Sequence, residues 1–286
     1  MASLRDVRRR IRSFQNTQKI TKAMQVVSAT RLRRAQGAVQ AARPYAEKMI
    51  EVLETTAERA TEYRHPYLEQ REGDRALVIL VTADRGLCGA LNANTIRAAV
   101  QHVNREHRGQ ARYVTIGRKG RDFLVRYRRD IVADASGLPD RPGIAPILPA
   151  IHAALEEYEE ARIDTIVLAY ARWVSTLRQE PVVRTLLPVE IPHVHEGPST
   201  DYIYEPGPEA VLDALLPRYI ETQVYAALLE NQASFYSAQM IAMQNATNAA
   251  GDLIKSYTLT ANKIRQAAIT TELMEIVGGA EALRKE

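Results

Sequence analysis

The sequence has one cysteine, Cys88, so no intrachain disulfide can form, and the chain reads as one built for a reducing compartment. Its longest apolar run is about six residues, "ALVILV", far short of the ~20 that a membrane-spanning helix needs. The opening "MASLRDVRRRIRSF" has no apolar core, which argues against a signal peptide. An Arg-rich start suits a transit peptide, but this one runs straight into a long periodic helix. Acidic residues are nearly missing from the first 43 positions, where Asp6 stands against eleven Lys or Arg, a balance of +10. The rest of the chain carries 27 basic and 33 acidic groups, or −6, so the overall +4 hides a strongly polarised chain. That polarity suggests an acidic partner for the basic part.

What is present is helical at both ends. Leu4, Val7, Ile11 and Phe14 step by three and four, and Ile20, Met24 and Val27 resume the stripe after a slip. Ala35, Ala38, Ala42, Tyr45, Met49 and Val52 continue it. Gly37 is the only glycine before Gly73, and no proline precedes Pro44. The spacing predicts a first helix over about residues 4–60, on the order of 80 Å at 1.5 Å per residue. From Tyr225, a four-three repeat through Leu229, Tyr236, Met243, Ala250, Tyr257 and Ile264 to Met274 predicts a coiled-coil helix. Gly278 and Gly279 mark its expected end. The two helices are expected to pair antiparallel through a seam rich in Ala, Thr and Gln.

Between them, over 74–206, the pattern is β-α-β-α-β-α-β-β, which predicts a Rossmann-like, mostly parallel sheet with an antiparallel edge hairpin. The fold class is therefore α/β plus coiled coil, divided as 1–60, 74–206 and 208–286. Pro217 falls where the last helix should begin, as a kink or in its first turn.

Candidate chemistry is sparse. "TADRGLCGALN" sits at the first strand-to-helix turn, where α/β sheets bind ligands. Asp84 and Arg85 there form either a site or a tight turn braced by a local Asp–Arg pair. "GRKG" at 117–120 opens a helix and could hold an anion. Cys88 lacks an evident His partner for nucleophilic work. His193 and His195 alternate on one strand face, as a metal pair would. "EEYEE" at 156–160 reads as a solvated helix end. Neither phosphate-loop fingerprint is present. Arg clusters such as "RRRIR" would neutralise nucleic-acid phosphates, but aromatic interleaving is missing and the apolar stripe demands a helical partner.

"QNTQKITKAMQVVSATRLRRAQ", "ADRGLCGALN" and "MIAMQNATNAAGDLI…NKIRQAAITTELMEIVGG" together resemble the gamma subunit of the bacterial-type rotary ATP synthases, over effectively the whole chain. The resemblance implies a central rotor stalk that couples proton flow through the membrane c-ring to ATP synthesis or hydrolysis. The helix pair would turn inside a ring of alpha and beta subunits, with the α/β domain against the epsilon subunit and the c-ring. It implies contacts with the catalytic ring at Lys22, Met24, Arg33, Arg34, Arg265, Gln266, Thr270 and Glu275. It also implies no catalytic, cofactor-binding or metal residue, no nucleic acid, no direct membrane span, one copy per complex, and a peripheral place on the cytoplasmic side of the cell membrane. Gln25 and Gln244 depart from the family, which has an acid and a base there, and a single cysteine excludes the cysteine-pair switch of chloroplast members. The reading from another class is a nucleotide-binding α/β enzyme with a coiled-coil dimerisation stalk.

Overall fold

A computed structural model describes residues 3–59, 63–190, 205 and 207–283. Along the chain these form α1 (Leu4–Arg59), β1 (Ala76–Val81), α2 (Leu91–Glu106), β2 (Ala111–Ile116), α3 (Arg118–Arg126) and β3 (Ile131–Ala135). There follow a 3₁₀ turn (Ala145–Ile147), α4 (Leu148–Glu159), β4 (Thr165–Trp173), β5 (Gln179–Leu187) and α5 (Pro208–Leu283). The chain divides into two compact units: Ser28–Gln239, and Met1–Val27 with Met240–Glu286. Helices α1 and α5 contribute to both.

In the larger unit one sheet runs β3-β2-β1-β4-β5, parallel except for the antiparallel β4–β5 hairpin at its edge. β1 is aliphatic at every position because both faces of a central parallel strand are covered. Leu77, Ile79 and Val81 face Met49 and Leu53 of α1, Ile151 and Leu155 of α4, and Leu216 and Ile220 of α5. Val78 and Leu80 face Ile96, Ala99 and Val103 of α2 and Leu124 of α3. Each such fully buried aliphatic side chain stabilises the unit by roughly 1.5–3 kcal/mol.

The smaller unit is an antiparallel helix pair. Arg10 and Phe14 meet Tyr257, Gln18 and Thr21 meet Thr247, and Gln25 meets Gln244, so contact positions fall along α5 as they rise along α1. The seam differs by one position from the expected stripe. Ile20 and Val27 are 60% and 50% exposed, whereas Thr21 is 8% exposed. In the larger unit the next inward positions of α1 are Ser28, Leu32, Ala35 and Val39. Beside buried Val7 and Met243, the seam of the smaller unit is thus partly polar: the Thr21 and Thr247 hydroxyls lie 2.7 Å apart, and the Gln25 amide donates to the Gln244 side-chain oxygen. Small hydroxyl and amide groups let two helices approach closely while satisfying one another, which a periodicity count over apolar letters cannot see.

Two further expectations are corrected. α5 begins at Pro208, as the 208–286 division expects and as suits a first helical position, where its missing N–H has no partner; Pro217 therefore lies inside the helix and not in its first turn. The helix also passes through Gly278 to Leu283, because left-handed glycines are confined, among the described residues, to Gly89, Gly109, Gly117 and Gly137.

Candidate functional site

A cavity of about 370 Å³ opens at the carboxyl ends of β1, β2 and β3, between the turns that follow them and α5. In this topology that is the ligand position. Here the backbone amides that edge the cavity are already taken by the chain itself. Asp84 follows β1, and its Oδ1 accepts from the backbone N–H of Arg118 at 2.9 Å and of Gly137 at 3.0 Å. Its Oδ2 accepts from the N–H of Leu138 at 2.9 Å. Arg118 is the first residue of α3, so the carboxylate occupies the anion-favouring end of that helix. Gly117, at φ 103°, brings β1 and α3 together; a Cβ there would lie 2.0 Å from the Thr82 carbonyl oxygen. The two sequence candidates, Asp84 and "GRKG", are therefore one closed site.

The turn is not braced by an Asp84–Arg85 pair, since Asp84 is committed to the three amides and Arg85 reaches Asp140 instead, at 3.7 Å. Asn92 closes the turn by accepting from the Ala83 N–H at 3.0 Å and donating to Cys88 Sγ at 3.3 Å. Burial pushes the Cys88 thiol up, which keeps it protonated and unreactive at neutral pH.

"EEYEE" is not simply a solvated helix end. Glu157 is buried and its carboxylate is closed on by Arg112 and Arg162, while Tyr67 donates its hydroxyl to Glu159. His193 and His195 lie outside the described residues. Among the described residues no group of three or more His, Cys, Asp or Glu could hold a metal ion. None of the described helices is long and apolar enough to cross a membrane.

What remains available is surface. On α1, Lys22, Arg33 and Arg34 are exposed and Met24 is half-buried; Lys22 Nζ donates to Gln25 at 3.2 Å. On α5, every residue from Arg265 to Gly278 is exposed, including Gln266, Thr270 and Glu275. Leu273, Ile276 and Val277 are exposed with them, and Met274 is 69% exposed. The Thr270 hydroxyl is spent on the Gln266 carbonyl, at 2.9 Å. Lys22 and Met24 belong to the smaller unit with Arg265, Gln266, Thr270 and Glu275, whereas Arg33 and Arg34 belong to the larger one. These side chains share no pocket. A half-turn of basic charge beside exposed Ile20, Val26 and Val27, and a bare apolar helix end, can bind by contact but cannot do bond chemistry. The residue that sequence reasoning missed is Asp140, whose stretch "SGLPDRPG" carries only the Gly/Pro signal of a loop.

A family model described as ATP synthase matches residues 3–283. The chain is 44% identical over 295 residues to the ATP synthase gamma chain of Paraburkholderia phytofirmans, covering 99% of this chain and 100% of that one. It is 46% identical over 289 residues to the gamma chain of Chloroflexus aurantiacus, covering 99% of each. Among solved structures, a chain of the Euglena gracilis mitochondrial ATP synthase OSCP/F1/c-ring superposes with a TM-score of 0.66 at 18% identity, over 98% of this chain and 94% of that one. A chain of the Tetrahymena thermophila mitochondrial ATP synthase central stalk and c-ring superposes at 0.60 with 22% identity, over 79% and 99%.

Proposed function

This chain belongs to the ATP synthase gamma family, and we propose that it is the central rotor stalk, turning within the alpha/beta ring and carrying torque between that ring and the membrane c-ring. It is a non-catalytic subunit of a membrane-bound complex. Its partners are the alpha and beta subunits, the epsilon subunit and the c-ring, one copy of the chain serves each complex, and the chain lies peripherally on the cytoplasmic side of the cell membrane.

The single observation that supports this reading best is the surface of α5 from Arg265 to Gly278, exposed all round and yet bearing Ile269, Leu273, Met274, Ile276 and Val277. Five uncovered apolar side chains within four turns make a poor solvent surface, and a surrounding ring would cover them. Lys22, Met24, Arg33, Arg34, Arg265, Gln266, Thr270 and Glu275 are the ring contacts in this reading. Exposed cations attract acidic neighbours over about 10 Å at moderate salt without locking one orientation, which suits a shaft that must leave each contact in turn. The nucleotide-enzyme alternative fails to gain support, because Asp84 already takes the amides that a phosphate would need.

The test is reconstitution. The chain mixed with alpha and beta subunits should give a complex whose ATP hydrolysis turns a bead fixed to Cys residues placed in α2. A chain that hydrolyses ATP alone, or a complex that hydrolyses without turning the bead, would overturn the reading.

A further inference from the structure

Asp140 lies in the loop between β3 and α4, and three separate elements of the larger unit converge on it. Arg31 of α1 makes a two-pronged contact, Nη2 to Oδ2 at 2.9 Å and Nη1 to Oδ1 at 3.3 Å. Tyr236 of α5 donates its hydroxyl to Oδ1 at 3.2 Å, and Gln232 donates its amide to the Asp140 carbonyl oxygen at 2.9 Å. Arg85, in the turn after β1, approaches at 3.7 Å. The Arg31 guanidinium also sits over the Tyr236 ring, 5.9 Å from its centre. On either side the loop is tied down again: Asp84 holds the N–H groups of Gly137 and Leu138, and Tyr225 donates to the Pro142 carbonyl oxygen at 3.2 Å.

Two helices and the sheet thus share one carboxylate. Elsewhere in this unit α1 meets the sheet through aliphatic side chains such as Leu53, whereas α5 adds hydrogen bonds to β4, Ser234 to the Ala171 carbonyl oxygen at 2.9 Å and Trp173 to Ser237 at 3.0 Å. Asp140 is thus the tie that brings α1 into the same directional network. Aliphatic packing resists separation but has little directional preference, whereas a two-pronged guanidinium–carboxylate contact has a fixed geometry. The cluster is half-exposed, so its value is positional more than energetic.

We infer that Asp140 is a positioning residue for torque transfer: it clasps Arg31 and Tyr236 so that the stretches of α1 and α5 within this unit stay fixed to its sheet. This rests on the rotor reading above. Breaking the clasp lets the helices twist against the sheet under load, so less torque reaches the membrane sector and pumping against a gradient falls.

The experiment uses the full complex in membranes, with Asp140→Ala, Arg31→Met and the double variant. Each single variant should assemble and hydrolyse ATP within two-fold of the parent, while the proton pumping obtained per ATP falls about two-fold or more. The double variant should be no worse than the poorer single one, because both remove the same pair. Unchanged pumping per ATP in both single variants would overturn the clasp, and so would losses that add in the double variant, which indicate independent damage. Hydrogen exchange on the isolated chain separates this outcome from failure of the rotor reading. Amides of 137–142 should exchange about ten-fold faster in each single variant whatever the chain assembles with, and unchanged exchange there would also overturn the clasp.

Discussion

Single residues decide whether the α/β unit can do chemistry. Asp84 is spent on three backbone amides, so its role is structural. Asp84→Ala should lower stability in denaturant titration by about 2 kcal/mol, the scale of hydrogen bonds to a charged group. Asp84→Asn in the assembled complex should leave ATP hydrolysis within a few-fold, and calorimetry on the isolated parent chain should show no micromolar nucleotide binding. Glu230 on α5 is a second internal case. Burial raises its pKa from 4.5 against the opposing pull of Arg172, Arg184 and Arg43, and its Oε2 is buried without a hydrogen-bond partner. Above pH 4.5 the unfolded chain has released a proton that the folded chain retains, so stability falls as pH rises toward the raised folded value. Glu230→Gln removes that loss. The variant should therefore melt higher than the parent at pH 7 and equally below about pH 4.5, where both forms are neutral. Equal melting at both pH values would show that the carboxyl is not kept protonated by the fold.

The elements carry a different message, because α1 presents two stripes of opposite use. The inward stripe includes Thr21 in the smaller unit and Ser28 in the larger, whose hydroxyl donates to Gln239 at 2.9 Å. The outward stripe includes Ile20, Val26 and Val27. Ser28→Ala should cost about 1–2 kcal/mol in the isolated chain, since it leaves a buried amide oxygen short of a donor. Ile20→Ser should change the isolated chain by no more than about 0.5 kcal/mol, as exposed substitutions do, yet weaken assembly with alpha and beta subunits. The reverse ordering in thermal and denaturant melts would mean that the apolar stripe, not the hydroxyl stripe, faces the partner helix.

For the whole molecule, burial is uneven. The sheet unit holds a continuous apolar core, while α5 beyond Ala250 buries little, and every residue over 265–278 is exposed. A helix draws most of its stability from packing, so in the free chain the amides of 265–278 should exchange within seconds while those of β1 and β4 stay protected. Assembly with alpha and beta subunits should slow exchange over 265–278 by orders of magnitude. Protection of that stretch in the free chain would contradict the bare surface seen here.

Repeating patterns made the element order, the parallel sheet with its antiparallel edge and the long terminal helices legible in the sequence, because each follows from local spacing of apolar residues. Only the tertiary structure decided which stripe of α1 turns inward, because Thr21 and Ser28 become seam residues through partners on α5, more than 200 positions away along the chain. It also turned Asp84 from a candidate site into an internal anion, and Glu157 from a surface carboxylate into a buried one held by two arginines. Asp140 shows the limit most plainly: nothing local distinguishes it from any loop aspartate, and its partners Arg31, Arg85 and Tyr236 are set beside it only by the packing of three elements at the carboxyl ends of the strands.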